Sequence, residues 1–587
     1  MSRPDRRATA LLAGGIALAA ALVLGSVFTP APHTGGDNAT YLSLGHSLAA
    51  GTGYVEHWDP DAAPHTKYPP LFPALLAGLV LAGASTWMAF KLLSALAVGC
   101  AVLFAFGWAA RRRGPLAGAA VALLTLLAGG WIDAGRWILS EPPFLLLTFL
   151  GLWGAEVGMT RIRPIGAAAR AAPVPDAERV PGQRVPGHWG WTALAAGAAL
   201  LAFFTRSAGL PLVLALGGVL LATRRWRTGA IFGAAFALPA ARWVLRAQGG
   251  GEGAYQSEFW MVNPYEPGLG TIEMLDLPVR AWENLKLYAG EILGAQWWGT
   301  GSIPTVAIVG LVIAALALWG WTLRVRLGAG VAELFAPLYF GLILVWPEVW
   351  SGDRFLLPLI PILLLYAGEA VRYAALPLGK TLGTAVLAAA ILLLALPAVP
   401  GWLRIADAAG DCRRMASVGD VFECHAPSFR EFRSAAAWSG ANLPDFAVVL
   451  NRKPSMFHLL GGKPGRIFPF TGEPGPFLDE ADRLGAAYVL FDHLDGISAL
   501  YLSAVIRARP GAFCHLIGWG GGESVSGTEL FGILAPSERI PGRDIPEIHP
   551  CPASYRQAQG REPVIEGVRI PLLIGAESPG QASPVSP

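Results

Sequence analysis

Charge is what this sequence has little of. Of its 587 residues only 14% are charged and 53% are hydrophobic, against roughly a quarter charged in soluble domains, which excludes a soluble globular chain. The net charge of +3 is too small for a nucleic-acid partner, and the arginines sit in short clusters between apolar runs rather than along one face. A nucleotide-binding loop is also missing. Gly520-Gly521-Gly522 lacks the Gly-Lys-Ser/Thr ending of a P-loop and reads as a turn. There is no internal repeat of the kind that marks inverted-topology transporters. No His/Asp/Glu cluster has firm metal-ligand spacing. Cysteine is scarce, with 5 in the chain.

What is present is apolar sequence in blocks, with a mean hydropathy of +0.47. Arg3, Arg6 and Arg7 precede an apolar stretch at 8–28 that resembles a signal peptide. At about twenty residues it can span a bilayer core of about 30 Å, and with many spans behind it, it reads as an uncleaved first helix. Further runs fall at 86–110, 115–131, 142–158, 189–205, 208–222, 228–241, 301–322, 328–346, 355–371 and 381–399, which predicts eleven membrane helices. Lys and Arg gather in every second connection: Arg111 to Arg113, Arg161 through Arg184, Arg224/Arg225/Arg227, Arg324/Arg326 and Arg372/Lys380. The positive-inside rule makes these cytoplasmic and the N-terminus with them. An odd number of crossings then places the chain after Pro400 outside the plasma membrane.

The expected fold class is a polytopic α-helical membrane protein with an extracytoplasmic C-terminal α/β domain. The division falls between a membrane module at 1–400 and a tail at 401–587. In the tail, 447–450 and 487–491 are short apolar runs bounded by turn residues, as buried strands are, and 429–438 has helical spacing. Cys412, Cys424, Cys514 and Cys551 lie there, an even set on the oxidising side, while Cys100 lies in a membrane helix. Pairing Cys412 with Cys424 and Cys514 with Cys551 is the simplest connectivity, with four free thiols as the alternative. The connection from Arg161 to His188, rich in Pro, Ala and Arg, reads as a disordered linker. The outer loops at 29–85 and 248–300 are longer than a connection needs. The first holds a juxtamembrane helix over 69–83, too short to span. The second carries Trp260, Tyr265, Trp282, Tyr288, Trp297 and Trp298, as interfacial helices do.

Ionisable groups at the outer ends of membrane helices are expensive, so each needs a reason. Asp37 lies in Gly36-Asp37-Asn38-Ala39-Thr40-Tyr41, beyond the first helix. Lys67 precedes Tyr68-Pro69-Pro70, Glu141 opens the fourth helix in Ser140-Glu141-Pro142, Arg206 sits in the turn Thr205-Arg206-Ser207-Ala208-Gly209, and Arg354 begins the tenth in Asp353-Arg354-Phe355. Asp133, Arg136, His65 and Glu348 are weaker candidates on the same face. Each of the five has a structural alternative: Asp37 as a helix cap, Glu141 as a helix start favoured by the dipole, the three cations as snorkelling side chains. Together they suit glycosyl transfer from a lipid phosphate. A carboxylate can take the acceptor hydroxyl proton, and cations stabilise the departing phosphate where water is scarce.

At these residues the sequence resembles the GT-C superfamily of polyprenyl-phosphate-sugar-dependent glycosyltransferases, specifically bacterial relatives of protein O-mannosyltransferases and lipid A aminoarabinose transferases. The resemblance covers roughly residues 1–400, and its specificity lies in the order of the motifs rather than in any one of them. It implies an inverting transfer with Asp37 as base and Glu141 orienting the acceptor or helping to bind a metal. Lys67, Arg206 and Arg354 would hold the donor phosphate. The implied partners are a polyprenyl-phosphate-linked sugar, membrane lipids and an envelope glycan, lipid or protein acceptor. Asn38 stands where O-mannosyltransferases continue an Asp-Glu pair, a departure that leaves open whether the acceptor is a protein. The resemblance leaves a divalent metal ion open, because members differ in metal use. The competing functions are a transporter or flippase of lipid-linked glycans, and a membrane-anchored binding or assembly protein.

Overall fold

The computed structural model describes residues 6–32, 35–162, 189–248, 255–299, 301–520, 527–540 and 548–556. Most of the Arg161 to His188 linker, and Gly521 and Gly522, lie outside the described residues. All eleven predicted runs form helix. In chain order these helices are α1 (Arg6–Val27), α4 (Trp87–Arg113), α5 with α6 (Pro115–Leu126, Gly129–Arg136), α7 (Glu141–Gly158), α8 (Trp189–Thr205), α9 (Leu210–Ala222), α10 (Trp226–Gln248), α14 (Ile303–Leu327), α15 (Val331–Leu344), α16 with α17 (Asp353–Leu356, Ile360–Ala374) and α18 (Gly379–Val418). Among the described residues six spans are long and apolar enough to cross a membrane by themselves. The α5–α6 pair, bent by 67°, makes a seventh. The bend is held from outside: Gln296 accepts a hydrogen bond from the Gly130 amide at 3.0 Å, and the Trp131 indole donates to the Leu357 carbonyl at 3.2 Å.

Local chemistry sets the ends. Proline opens α5, α7, α9 and α14, where its missing amide costs nothing. Gly114, at φ 88°, turns α4 directly into α5, a conformation that suits glycine alone. Outward faces are apolar, with Leu11, Leu18, Leu92, Leu96, Leu392 and Leu396 exposed, as helices in contact with hydrocarbon require. Inside, one continuous core runs through α1, α4, α5, α7, α8, α9, α15 and α17, with Trp108, Trp131, Phe149 and Phe335 fully enclosed.

At one end of the bundle the charges are locked together. Arg112 donates to both oxygens of Glu333 at 2.5 and 3.1 Å and to Glu156 at 2.9 Å, with its side chain and that of Glu333 both 0% exposed. Tyr366 and the Gly330 amide complete the Glu333 carboxylate at 3.0 and 2.8 Å. Arg113 and Arg324 share Glu369. These arginines belong to the basic connections of the sequence, and the structure gathers them at a common end.

At the opposite end lie the long loops. The first contains α2 (Gly36–Ala49) and α3 (Leu71–Leu81); α3 has the short juxtamembrane length expected. The second contains α11 (Tyr255–Trp260), α12 (Leu277–Leu287) and α13 (Leu293–Trp298). Here the structure departs from the sequence expectation of interfacial aromatics. Trp282 is exposed, but Tyr288 and Trp297 are buried, and the Trp297 indole donates to the Leu124 carbonyl at 2.9 Å. Close helix packing claims these rings instead of the headgroup layer.

The expected boundary at 401 falls inside a helix. α18 passes through Pro397 and Pro400 and continues to Val418. Beyond the bundle it meets the end of α1: Trp402 donates to the Ser26 hydroxyl at 2.9 Å, and Arg413 donates to the Ser26 and Phe28 carbonyls at 2.9 and 2.6 Å. Lys91 adds bonds to the Thr29 and Ala31 carbonyls, so the carbonyls that follow α1 are capped by cations.

The C-terminal region holds one four-stranded sheet in the order β1-β2-β4-β3. Its strands are β1 (Val449–Leu450), β2 (Tyr488–Phe491), β3 (Phe513–Trp519) and β4 (Thr528–Ile533), with β1 and β2 parallel and the other pairs antiparallel. Alternate residues face opposite cores. Tyr488 and Leu490 pack with α19 (Pro427–Asn442) and α20 (Pro454–Gly461), while Val489 packs with α21 (Pro474–Leu484) and α22 (Ser503–Ala508). Cys412 is joined to Cys424 and Cys514 to Cys551. Arg466 binds Asp59 through two hydrogen bonds of 2.8 and 2.6 Å, which docks this region on the first long loop.

Asp492, just past β2, is fully buried. One carboxylate oxygen accepts from the Leu494 amide at 3.1 Å and the other has no hydrogen-bond partner among the described residues. Burial pushes its pKa from 3.8 up to about 6. A raised carboxyl pKa gives stability that is present below pH 3.8 and lost as pH rises through about 6; integrated over that window the loss is on the order of 2–3 kcal/mol. Asp492→Asn is therefore expected to flatten the fall in melting temperature between pH 5 and pH 8 and to be the more stable form at pH 8. Parallel melting curves for the two forms across that range would sink this account.

Candidate functional site

Asp37, Glu141, Arg206 and Arg354 meet at the end opposite the Arg112 network. Asp37 occupies the first turn of α2, yet it does not cap it: the residue at the cap is Gly35, and among the described residues the Asp37 carboxylate bonds none of the free amides. Its carboxylate accepts instead from the Tyr68 hydroxyl at 3.1 Å and from Arg354 Nη1 at 3.0 Å. Burial pushes the Asp37 pKa up. The charge and hydrogen bond of Arg354, the Tyr68 bond and the Lys67 charge outweigh burial and hold it below the ordinary value. Asp37 is thus a carboxylate at neutral pH, with 36% of its side chain still exposed.

Glu141 begins α7 and is 2% exposed. Arg206 Nη1 approaches it to 2.5 Å and Arg354 Nε to 3.7 Å, but among the described residues neither carboxylate oxygen has a hydrogen-bond partner. The two observations agree once direction is considered: the guanidinium is near in distance but off the donor axis, so attraction is present without a directed bond. A buried carboxylate with open lone pairs is costly, and it stands ready for a hydroxyl donor. Arg354 thus contacts both acids, and Arg206 and Arg354 lie over the Phe355 ring at 5.4 and 5.6 Å. Arg206 also donates to the Ser140 hydroxyl at 3.0 Å, and Ser140 bonds the Tyr41 hydroxyl at 2.9 Å.

Lys67 is close enough to act on Asp37, while its ammonium pairs with Glu258 of α11 at 2.8 Å and stands 5.1 Å above the Trp350 ring. The weaker candidates bond elsewhere. Asp133 and Arg136 pair with each other at 2.7 Å, and His65 bonds Glu56 at 2.6 Å.

Several residues were not singled out from sequence. Tyr41 follows Asp37 by one helical turn, Tyr68 adjoins Lys67 and Ser140 adjoins Glu141, so each was within reach of the motifs. Glu258 had no such signal. Among the described residues no group of three His, Cys, Asp or Glu is placed to hold a metal ion. Asp37 and Glu141 are both already engaged by arginine. This donor set does not fit a metal, and no step below is routed through one.

No protein-family model and no curated protein matches the chain. Solved structures do. The oligosaccharyltransferase of Archaeoglobus fulgidus, in a complex with Zn and sulfate, superposes with a TM-score of 0.50 at 12% identity, over 85% of this chain and 72% of that one. ArnT from Cupriavidus metallidurans bound to undecaprenyl phosphate gives 0.47 at 15% identity, over 89% and 98%. The arabinofuranosyltransferase AftD from Mycobacteria gives 0.39 at 16%, over 91% and 42%. The first of these likenesses shows the fold: this chain is a multi-pass α-helical membrane protein of GT-C architecture.

Proposed function

We propose that the protein moves a sugar from a polyprenyl-phosphate carrier to an envelope glycan, lipid or protein acceptor, with inversion, on the outer face of the plasma membrane. The observation that carries this reading is Arg354, which contacts an ionised carboxylate, Asp37, and a buried one, Glu141, at the mouth of the bundle. In the reaction Asp37 takes the proton of the acceptor hydroxyl as its oxygen bonds the anomeric carbon. The bond from that carbon to the phosphate oxygen breaks, and its electron pair leaves with the carrier phosphate. Glu141 orients the acceptor through its open lone pairs. Arg206 and Arg354 meet the growing phosphate charge, with Lys67 after it exchanges Glu258 for the phosphate.

The orientation follows the arginine pattern, with the Arg112 end cytoplasmic and the region after α18 outside. The module at 1–400 carries the chemistry and the region at 401–587 closes over it. A transporter of lipid-linked glycans needs charges along a path through mid-depth, whereas these charges lie at the two ends.

The test incubates purified protein with labelled polyprenyl-phosphate sugar and crude envelope acceptor. Acceptor-dependent release of the carrier phosphate is expected. Arg354→Ala should weaken donor binding as well as turnover, because a phosphate contact exists before the transition state and strengthens in it. Movement of the lipid-linked sugar across proteoliposomes without transfer would establish the transporter instead.

A further inference from the structure

The three cations of the site are matched one for one by carboxylates: Lys67 by Glu258, Arg206 by Glu141 and Arg354 by Asp37. A donor phosphate arriving there meets charge that is already neutralised, and it gains a further negative charge on leaving. A fourth cation reaches the same place from the C-terminal region. Lys453 closes the segment Asn451-Arg452-Lys453 between β1 and α20. Thr40 of α2 bonds Ser455 of α20 at 2.9 Å, which seats that segment on the start of α2.

Gly36, directly before Asp37, leaves room for the lysine. A Cβ at Gly36 would stand 3.1 Å from Lys453 Cδ and 3.5 Å from Nζ. Lys453 is half-buried. Among the described residues its backbone amide donates to Asn451 at 3.0 Å and its carbonyl accepts from the Phe457 amide at 2.9 Å, while no hydrogen bond or ion pair engages its ammonium. The adjacent Arg452, by contrast, pairs with Asp495 at 2.9 Å and lies over Tyr265 and Phe470. Burial, and next Arg452, push the Lys453 pKa down against Asp495, Asp37 and Asp492. A partly desolvated ammonium with no carboxylate in direct contact gains from an arriving anion.

We propose that Lys453 supplies the surplus positive charge of the donor site and contacts the phosphate of the polyprenyl carrier, making the C-terminal region part of that site. This rests on the transfer reading above.

The experiment measures binding of labelled undecaprenyl phosphate to the full-length protein in nanodiscs. Lys453→Ala should weaken binding about tenfold, the size of one charge-assisted contact, and Lys453→Arg should largely restore it. Gly36→Ala keeps every charge and favours the helix but pushes the lysine aside, so it should also weaken binding. Lys286→Ala, on the exposed face of α12, should not. Wild-type binding by Lys453→Ala overturns the inference and leaves the transfer reading standing. If Lys453→Ala proves unfolded in melting curves, Gly36→Ala decides, and unchanged binding there overturns the inference. Failure of the wild-type protein to bind undecaprenyl phosphate removes the transfer reading and this inference together.

Discussion

Asp37→Asn should lower turnover by about 10²- to 10⁴-fold while folding and donor binding are largely preserved, the range seen when a general base is removed. The amide keeps the shape, and its oxygen can still accept from Tyr68 or Arg354, so the surrounding bonds survive better than the proton acceptor does. In the wild-type protein the partners of Asp37 hold its pKa below 3.8. The acid side of its pH–rate profile should therefore lie below the range of an ordinary aspartate, and in the variant that limb should disappear. A helix cap would behave in the opposite way, because Asn caps almost as well as Asp, and the structure gives Asp37 no capping bond. Near-normal turnover in Asp37→Asn, measured with the labelled donor, would take the base role away from this residue.

The largest loss of stability is expected at the other end. Arg112→Met leaves the Glu333 carboxylate fully buried without its cation, at a cost of about 3–5 kcal/mol. The companion change Glu333→Leu, made together with Arg112→Met, removes the second charge and should recover a large part of that loss, since an apolar pair replaces an ion pair with little penalty. Thermal unfolding of the two single variants and the double variant in detergent reads this directly. A double variant no better than the sum of the singles would mean that the pair is not coupled. Transfer activity is expected to persist in folded protein, because the network lies at the end away from Asp37.

The helices and the five charged positions were legible because each is a departure from its local surroundings. A run of apolar residues announces a span, and Asp37, Glu141 or Arg354 at its edge announces an unusual cost. Tyr68 and Ser140 were harder to see, since a hydroxyl beside a charged residue is common and only the fold shows which way it points. Glu258 and Lys453 could not be read at all. They come from segments about 190 and 420 residues away from the residues they approach, and nothing in their neighbours marks the approach. α18 was misjudged at its end for another reason: proline removes one amide donor, but neighbouring groups can compensate within a membrane helix, so Pro397 and Pro400 do not stop it. β3 escaped because Phe513–Trp519 is interrupted by a bulge near Leu516, which breaks the strict alternation that marks a half-buried strand.

The length of α18 has a mechanical consequence. Its 40 residues make a rod of about 60 Å, roughly twice the thickness of a hydrocarbon layer. A pivot of only 5° at its foot would carry its far end about 5 Å sideways, so any adjustment of tilt to a thicker or thinner bilayer is magnified outside. Trp402 and Arg413 tie the rod to the end of α1, from which the chain leads into α2 and Asp37. The same rod runs on into the region that delivers Lys453. The segments that carry Asp37 and Lys453 are thus both tied to one rod, and a change in its tilt would carry them together instead of prising them apart.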